Sequence, residues 1–237
     1  MLSPILGKPN EQETALLQAA VLAIGTYRSD LKRIIDQNTP ECGRYTRFDL
    51  SCRGFMSALV ELEWSVRGAA KFKEHVRHTY EEAMDDEEQS SYHTHVYFHK
   101  NAFIRLFSIL DKLGYFLNDL YKLETERVKT KFSYYTVLRQ MHQRKIQTSL
   151  EQQLYSLKIR FKEPMERLRN KRNMEIHHIN AEMLDDLGRS DFCKIDRTYI
   201  EDLESSLTDL HGGYEMVCLT LKTAFDYFHA PNKGSDM

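Results

Sequence analysis

The stretch RNKRNMEIHH, residues 169–178, gathers the side chains that handle phosphate. An arginine stays charged at any working pH, and its planar fork matches a phosphoryl group. A histidine takes or gives a proton near neutrality, from an ordinary pKa of about 6.5. Asparagine adds an amide that both donates and accepts. From Lys158 to Arg172 seven basic residues stand against two acidic ones. Such a patch acts on a polyanion locally, over about 8 Å at physiological salt. Charge alone favours a plainer reading, a solvated helix face.

One residue fits the plainer reading poorly. Phe161, Met165 and Leu168 follow a helical apolar phase, and the next position in that phase is Arg172, then Ile176 and Ile179. A guanidinium there must snorkel, pair with a carboxylate, or face a cleft or a subunit interface. His177 lies five residues on, about 140° around an ideal helix. Arg172 and His177 of one chain therefore reach a common atom only if the helix bends or ends between them. A second copy of the motif across a two-fold axis would supply the missing side chain. Arg169, Asn173 and His177, spaced i, i+4, i+8, line one rough face.

A rival constellation is YHTHVYFH, with His93, His95 and His99 after the acidic run DDEE at 85–88. His95 and His99 are one turn apart and could share a metal, completed by His75 or His78. His99 also falls in the apolar phase of its helix, where a packed imidazole bonded to a neighbouring acceptor explains it without a metal. Phe103, Phe107, Tyr115 and Phe116 read as core and not as a base-stacking platform. The chain has no glycine-rich phosphate loop, HExxH, GxSxG or repeated Glu-x-x-His pair. HGG at 211–213 lies inside an apparent helix and is not read as an oxyanion loop. No cofactor is implied.

These residues need helices to position them, and a 3–4 apolar spacing runs through most of the chain. Asn10 with Glu13 forms a capping-box pattern before Leu17, Ala20, Ile24, Tyr27, Leu31 and Ile34. QNTPECGRYTRFD is read as a polar break, and Phe55, Leu59, Leu62, Val66 and Ala69 follow, less cleanly to Val76 and Tyr80. DDEEQSS reads as a turn or a helix end. The most regular stripe, from Tyr92 through His99 to Leu120, predicts a helix of roughly 30 residues. A short helix is predicted around YYTVLRQM. Thr148 with Glu151 opens a segment in which Pro164 either kinks the helix or begins a new one. LDDLGRSDFCKID is a connector, Thr198 with Glu201 caps a last helix that continues through the glycines at 212–213, and APNKGSDM is a frayed tail. The architecture predicted is all-α: an antiparallel bundle of four to five long helices with one or two short extra helices.

The bulk properties set bounds. The chain has 237 residues, 41% hydrophobic and 29% charged, with formal net charge −2. That suits one globular domain with a sizeable core and gives no global basic field. The four cysteines, Cys42, Cys52, Cys193 and Cys218, form no CxxC pair and read as thiols of a reducing compartment. The N-terminus lacks a basic n-region with a long apolar stretch, and no apolar run approaches the ~18 residues of a membrane helix. A cytoplasmic protein without a membrane anchor is the expectation.

RNMEIH, with Arg172, Asn173 and His177, resembles the R-x4–6-H motif of the HEPN superfamily of helical-bundle proteins, in which a polar residue commonly follows the arginine. The motif stands late in an all-α chain with a long helix after it, and YHTHVYFHKNAFIRLFSILDKLGYFLNDL is similar to the aromatic-rich helices of bacterial members. The resemblance covers residues 90–230 of a single domain spanning 1–237, with 10–85 as an N-terminal elaboration. Where some ribonuclease members carry a tyrosine two residues after the histidine, this chain has Ile179. The resemblance implies metal-independent RNA cleavage at a site built by two protomers, with His177 as acid or base, Arg172 as phosphate clamp and Asn173 as orienting partner. Arg169, Lys171 and His178 would assist in binding substrate. It implies a homodimer, RNA as substrate, and a toxin–antitoxin or defence setting with a cognate antitoxin or other protein partner. Two readings compete with it: a non-catalytic HEPN-like module binding a nucleic acid, a nucleotide or a protein, and a metal-binding bundle using His95 and His99.

Overall fold

A computed structural model describes residue 6 and residues 11–37, 40–177 and 200–229, with only the backbone at Ile176 and His177. The described residues form a helical bundle with no strand. Its helices are α1 (Glu11–Asp36), α2 (Cys42–Lys73), α3 (Asp86–Leu120), α4 (Tyr134–Arg144), α5 (Thr148–Arg160), α6 (Lys162–His177) and α7 (Leu203–His229). Short 3-10 turns stand at Glu81–Ala83 and Thr125–Arg127. Among the described residues four helices are long, within the four to five expected, and three are shorter, one more than the one or two expected. No helix among the described residues is long and apolar enough to cross a membrane.

The chain divides into two compact units: Met1–Pro9, Leu62–Arg105 and Phe161–Tyr214 form the first, and Asn10–Glu61, Leu106–Arg160 and Glu215–Met237 the second. In the first, α2 and α3 run antiparallel. Asn101 donates to Ser65 Oγ at 3.0 Å and His95 to the Ala69 carbonyl at 2.7 Å, so rising numbers on one helix meet falling numbers on the other. Helix α6 runs antiparallel to α7, with Arg167 on Asp209 and Lys171 on Ser206. This unit buries Leu62, Val66, Ala69, Phe103, Phe161, Met165, Leu168, Leu207 and Leu210.

In the second unit Arg28 of α1 bonds Asp49 of α2 at 2.8 Å. Arg44 donates to the carbonyls of Asp119 and Leu120, two of the acceptors that the end of α3 leaves open. Tyr27, Phe48, Phe55, Phe116 and Phe225 form an aromatic cluster with ring centroids 5.0–6.2 Å apart, in edge and tilted geometries. Gly114 lets α3 approach the start of α4: a Cβ there would stand 2.9 Å from Tyr134 Cα.

Several boundaries differ from the sequence reading. Helix α2 starts at Cys42 and takes in residues read as a polar break, because Phe48 is buried and Asp49 is held by Arg28 and Arg53. It ends at Lys73, before Val76 and Tyr80. The acidic run is a helix end, the N-terminal one: Asp86, Glu87 and Glu88 make the first turn of α3, where carboxylates complement the helix dipole. Glu88 is buried, and burial alone would raise its pKa. The backbone N–H groups of His78 and Arg77 and the His78 ring outweigh that and hold it down at about 2.

Pro164 begins a new helix. α5 stops at Arg160, and the proline sits in the first turn of α6, where a missing N–H costs nothing. Its ring lies over Gly212, where a Cβ would come within 3.3 Å. The last helix is capped by Asp202, whose Oδ1 accepts from the backbone of Glu204 and Ser205, and Glu201 turns to Lys171 instead. It then continues through both glycines. Phe103, Phe107 and Phe116 are core, whereas Tyr115 is exposed and leans on Phe132. Asn10, Thr198, Cys193, the whole connector at 184–196 and the tail lie outside the described residues.

Candidate functional site at the end of helix α6

Phe161, just before α6, and Met165 and Leu168 within it form one apolar edge, all buried. Arg172 continues this edge, as the phase predicts, and is half-buried in the last turns of the helix. Its Nη2 donates to Asn173 Oδ1 at 3.0 Å. That bond occupies the asparagine carbonyl and leaves the Nδ2 group to donate elsewhere. An arginine and an amide are thereby oriented as one donor surface on adjacent residues. His177 is the final residue of α6, and its side chain lies outside the described residues, as do His178 and Ile179. The structure thus brings Arg172 and Asn173 together. Arg169 is half-buried on the same helix.

Two basic residues of α6, Arg167 and Lys171, are engaged by carboxylates. Arg167 makes a bidentate pair with Asp209, Nε to Oδ2 at 2.8 Å and Nη2 to Oδ1 at 2.7 Å. Lys171 reaches both Glu201 oxygens at 3.0 and 2.9 Å and Ser206 Oγ at 2.5 Å. Lys171 is therefore an anchor of α6 on the segment that leads into α7, and its charge is compensated locally. Glu175 pairs with Lys100 of α3 at 3.3 Å. Together these contacts fix the height and rotation of α6, and with them the direction of Arg172 and Asn173.

Sequence reasoning missed these partners. A signal was present: Asp202, Ser206 and Asp209 form a polar stripe at helical spacing beside the Leu203, Leu207, Leu210 stripe. Its buried members, Ser206 and Asp209, require partners, and Lys171 with Arg167, one turn apart, supplies them.

The rival constellation is packed. His95 and His99 are buried, with rings 5.8 Å apart. His95 Nδ1 donates to the Ala69 carbonyl and His99 Nε2 to the Ser206 carbonyl at 3.3 Å. Desolvation, joined by the charge of Lys171, depresses the His99 pKa to about 4, so the ring is neutral near pH 7. His78 is taken by Glu88 at 2.9 Å. Among the described residues no group of three or more His, Cys, Asp or Glu side chains could hold a metal ion.

A family model described as HEPN_Cthe2314-like HEPN matches residues 52–229. The match starts inside α2 and reaches further toward the N-terminus than the stretch 90–230 that carries the motif resemblance. No curated protein and no solved structure matches the chain. The family match takes in α6, α7, all of α3 and most of α2, and the chain belongs to the HEPN superfamily.

Proposed function

We propose that the protein is a metal-independent RNA-cleaving HEPN member whose site is built from Arg172, Asn173 and His177 of two protomers. The observation that carries the reading is the Arg172–Asn173 pair, oriented by a 3.0 Å bond in the last turns of a helix inside the family match. In this reading His177 accepts the proton of a ribose 2′-OH as its oxygen attacks phosphorus. The P–O5′ bond breaks, and the second protomer's copy of the histidine returns a proton to the departing 5′-oxygen. Arg172 and the Asn173 amide stabilise the charge that develops on the phosphoryl oxygens. The products are a 2′,3′-cyclic phosphate and a 5′-hydroxyl. Arg169 and His178 assist in holding the strand, while Lys171 sets the helix. Cytoplasmic location, dimerisation, a single domain with residues 10–85 elaborating its core, and a toxin or defence role with a protein partner belong to the same proposal.

The test is a substrate in which one nucleotide at a mapped cleavage position carries a 2′-deoxy sugar. The proposal expects that position to become uncleavable while neighbouring sites are still cut, with cyclic phosphate ends elsewhere. Cutting at the 2′-deoxy position would overturn it.

A specific observation supports a second reading, a non-catalytic binding module. Arg167 and Lys171 are committed to Asp209 and Glu201, which lowers the free positive charge of α6. RNA binding without any cleavage would select this reading.

A further inference from the structure

The hairpin of α4 and α5 carries a charge that the α6 motif does not use. From Val128 to Arg160 seven lysines and arginines stand against one acidic residue, Glu151, in a chain of formal net charge −2. Glu151 is buried and faces His142 at 3.4 Å, so it adds no exposed negative charge. The carboxylates at the borders of the stretch are engaged. Glu124 pairs with Arg127, Glu126 accepts from Asn118, Asp111 accepts from the Tyr134 N–H at 3.1 Å, and Glu215 takes Arg160. Lys129, Lys131, Arg139, Lys145 and Lys158 pair with no carboxylate among the described residues, and all but Lys158 are exposed. The positive charge here is uncompensated, unlike that of Arg167 and Lys171 on α6.

Two helices build this face. His142 meets Glu151 and Tyr135 meets Lys158, so α4 and α5 run antiparallel, side by side. Lys158 Nζ lies 5.8 Å from the Tyr135 ring centroid and 5.0 Å from that of Tyr155, which is 46% exposed. One ammonium thus spans rings of both helices and is held against them by cation–π attraction. Arg139, one turn after Tyr135, continues the α4 side of the face. Lys131 stands one turn's length before Tyr135, in the segment that leads into α4.

We propose that the exposed face of the α4–α5 hairpin binds single-stranded RNA, with Lys131, Arg139 and Lys158 on its phosphates and Tyr155 against a base. The proposal rests on the reading of the protein as one that acts on RNA, and it uses no residue of the α6 motif. Unpaired cations with almost no exposed carboxylate select a polyanion. Tyrosines set among those cations select one whose units carry π-faces, the pairing of features by which single strands are held. A lipid surface is disfavoured: apart from Tyr155 and Ile159, the exposed side chains of α5 are hydroxyl, amide and guanidinium groups, not the apolar stripe of a helix that lies in a membrane. A second copy of the same face would be repelled by its like charge.

The experiment is fluorescence anisotropy of a labelled 2′-O-methyl RNA of about twelve nucleotides, titrated at several salt concentrations. The probe has no free 2′-OH and is not cut, so binding is read apart from catalysis. Each phosphate contact on a single strand adds about 0.7 to the slope of log K against log salt. The triple variant Lys131→Gln, Arg139→Gln, Lys158→Gln is therefore expected to lower that slope by about 2 and the affinity at about 0.1 M salt by roughly 100-fold. The charge-preserving triple Lys131→Arg, Arg139→Lys, Lys158→Arg is expected to stay within about threefold of wild type, which separates lost charge from lost fold. Tyr155→Ala is expected to weaken binding by roughly 5-fold or more with the slope unchanged. Wild-type affinity in the glutamine triple or in Tyr155→Ala overturns the proposal, as does no binding by the wild type. Binding lost in Arg172→Ala and kept in the glutamine triple puts the strand on α6 alone, which overturns this proposal and spares the proposed function. Binding that needs the three cations, with no cleavage of natural RNA, sustains this proposal and overturns the nuclease reading.

Discussion

The Arg167–Asp209 pair gives a prediction whose sign runs against intuition: removing the exposed partner costs more than removing the buried one. The Asp209 side chain is 5% exposed and that of Arg167 54%. In Arg167→Met the aliphatic stem survives, but a buried carboxylate loses both of its guanidinium donors. The general cost of breaking a buried pair is 3–5 kcal/mol, and the half-exposed geometry lowers it to about 3. In Asp209→Asn the guanidinium turns to solvent and recovers its hydration, leaving about 1–2 kcal/mol from one lost charge-assisted bond. The double variant buries only a neutral amide, so the coupling energy is about 2 kcal/mol. For a chain of this size each kcal/mol moves the melting temperature by about 2–4 °C. Urea unfolding of the four proteins, with m compared to detect non-two-state behaviour, reads these values. An Asp209→Asn cost equal to or above that of Arg167→Met, or a coupling under about 0.5 kcal/mol, would refute the clamp.

Other predictions follow from single contacts. The His99 pKa is about 4 in the fold against about 6.5 unfolded, so the unfolded chain binds the proton first as pH falls. Stability from this neutral ring is full above about pH 6.5 and drains toward pH 4, by about 2 kcal/mol at pH 5; urea midpoints at pH 7 and pH 5 should converge in His99→Gln. Gly114→Ala pushes a Cβ to 2.9 Å from backbone at Tyr134, which cannot rotate away, and should cost about 2–3 kcal/mol. Gly25→Ala in α1 meets nothing within 4 Å and should be neutral or stabilising by up to about 1 kcal/mol; urea unfolding reads both glycine variants.

The helices were legible because burial imposes a periodicity that survives local composition. The stripe from Tyr92 to Leu120 predicts α3, and the α7 stripe carries through its two glycines because packing outweighs their helix cost. Boundaries were harder where tertiary contacts override local chemistry. Nothing local marks Phe48 and Asp49 as helical, since their reasons lie in Phe116 and Arg28. Thr198 with Glu201 satisfies a capping pattern, yet Glu201 is drawn to Lys171 and Asp202 caps α7. At the candidate site, the apolar phase of Arg172 was readable. The role of Lys171 was not, because its partners are 30 and 35 residues away.

The most direct measurement is RNA cleavage by purified protein in EDTA, with wild type, Arg172→Ala and His177→Ala assayed on a broad RNA panel. Cleavage by the wild type is expected to survive chelation and to fall by roughly 100-fold or more in each variant. No cleavage of any RNA by the wild type, or cleavage unchanged in both variants, would contradict it.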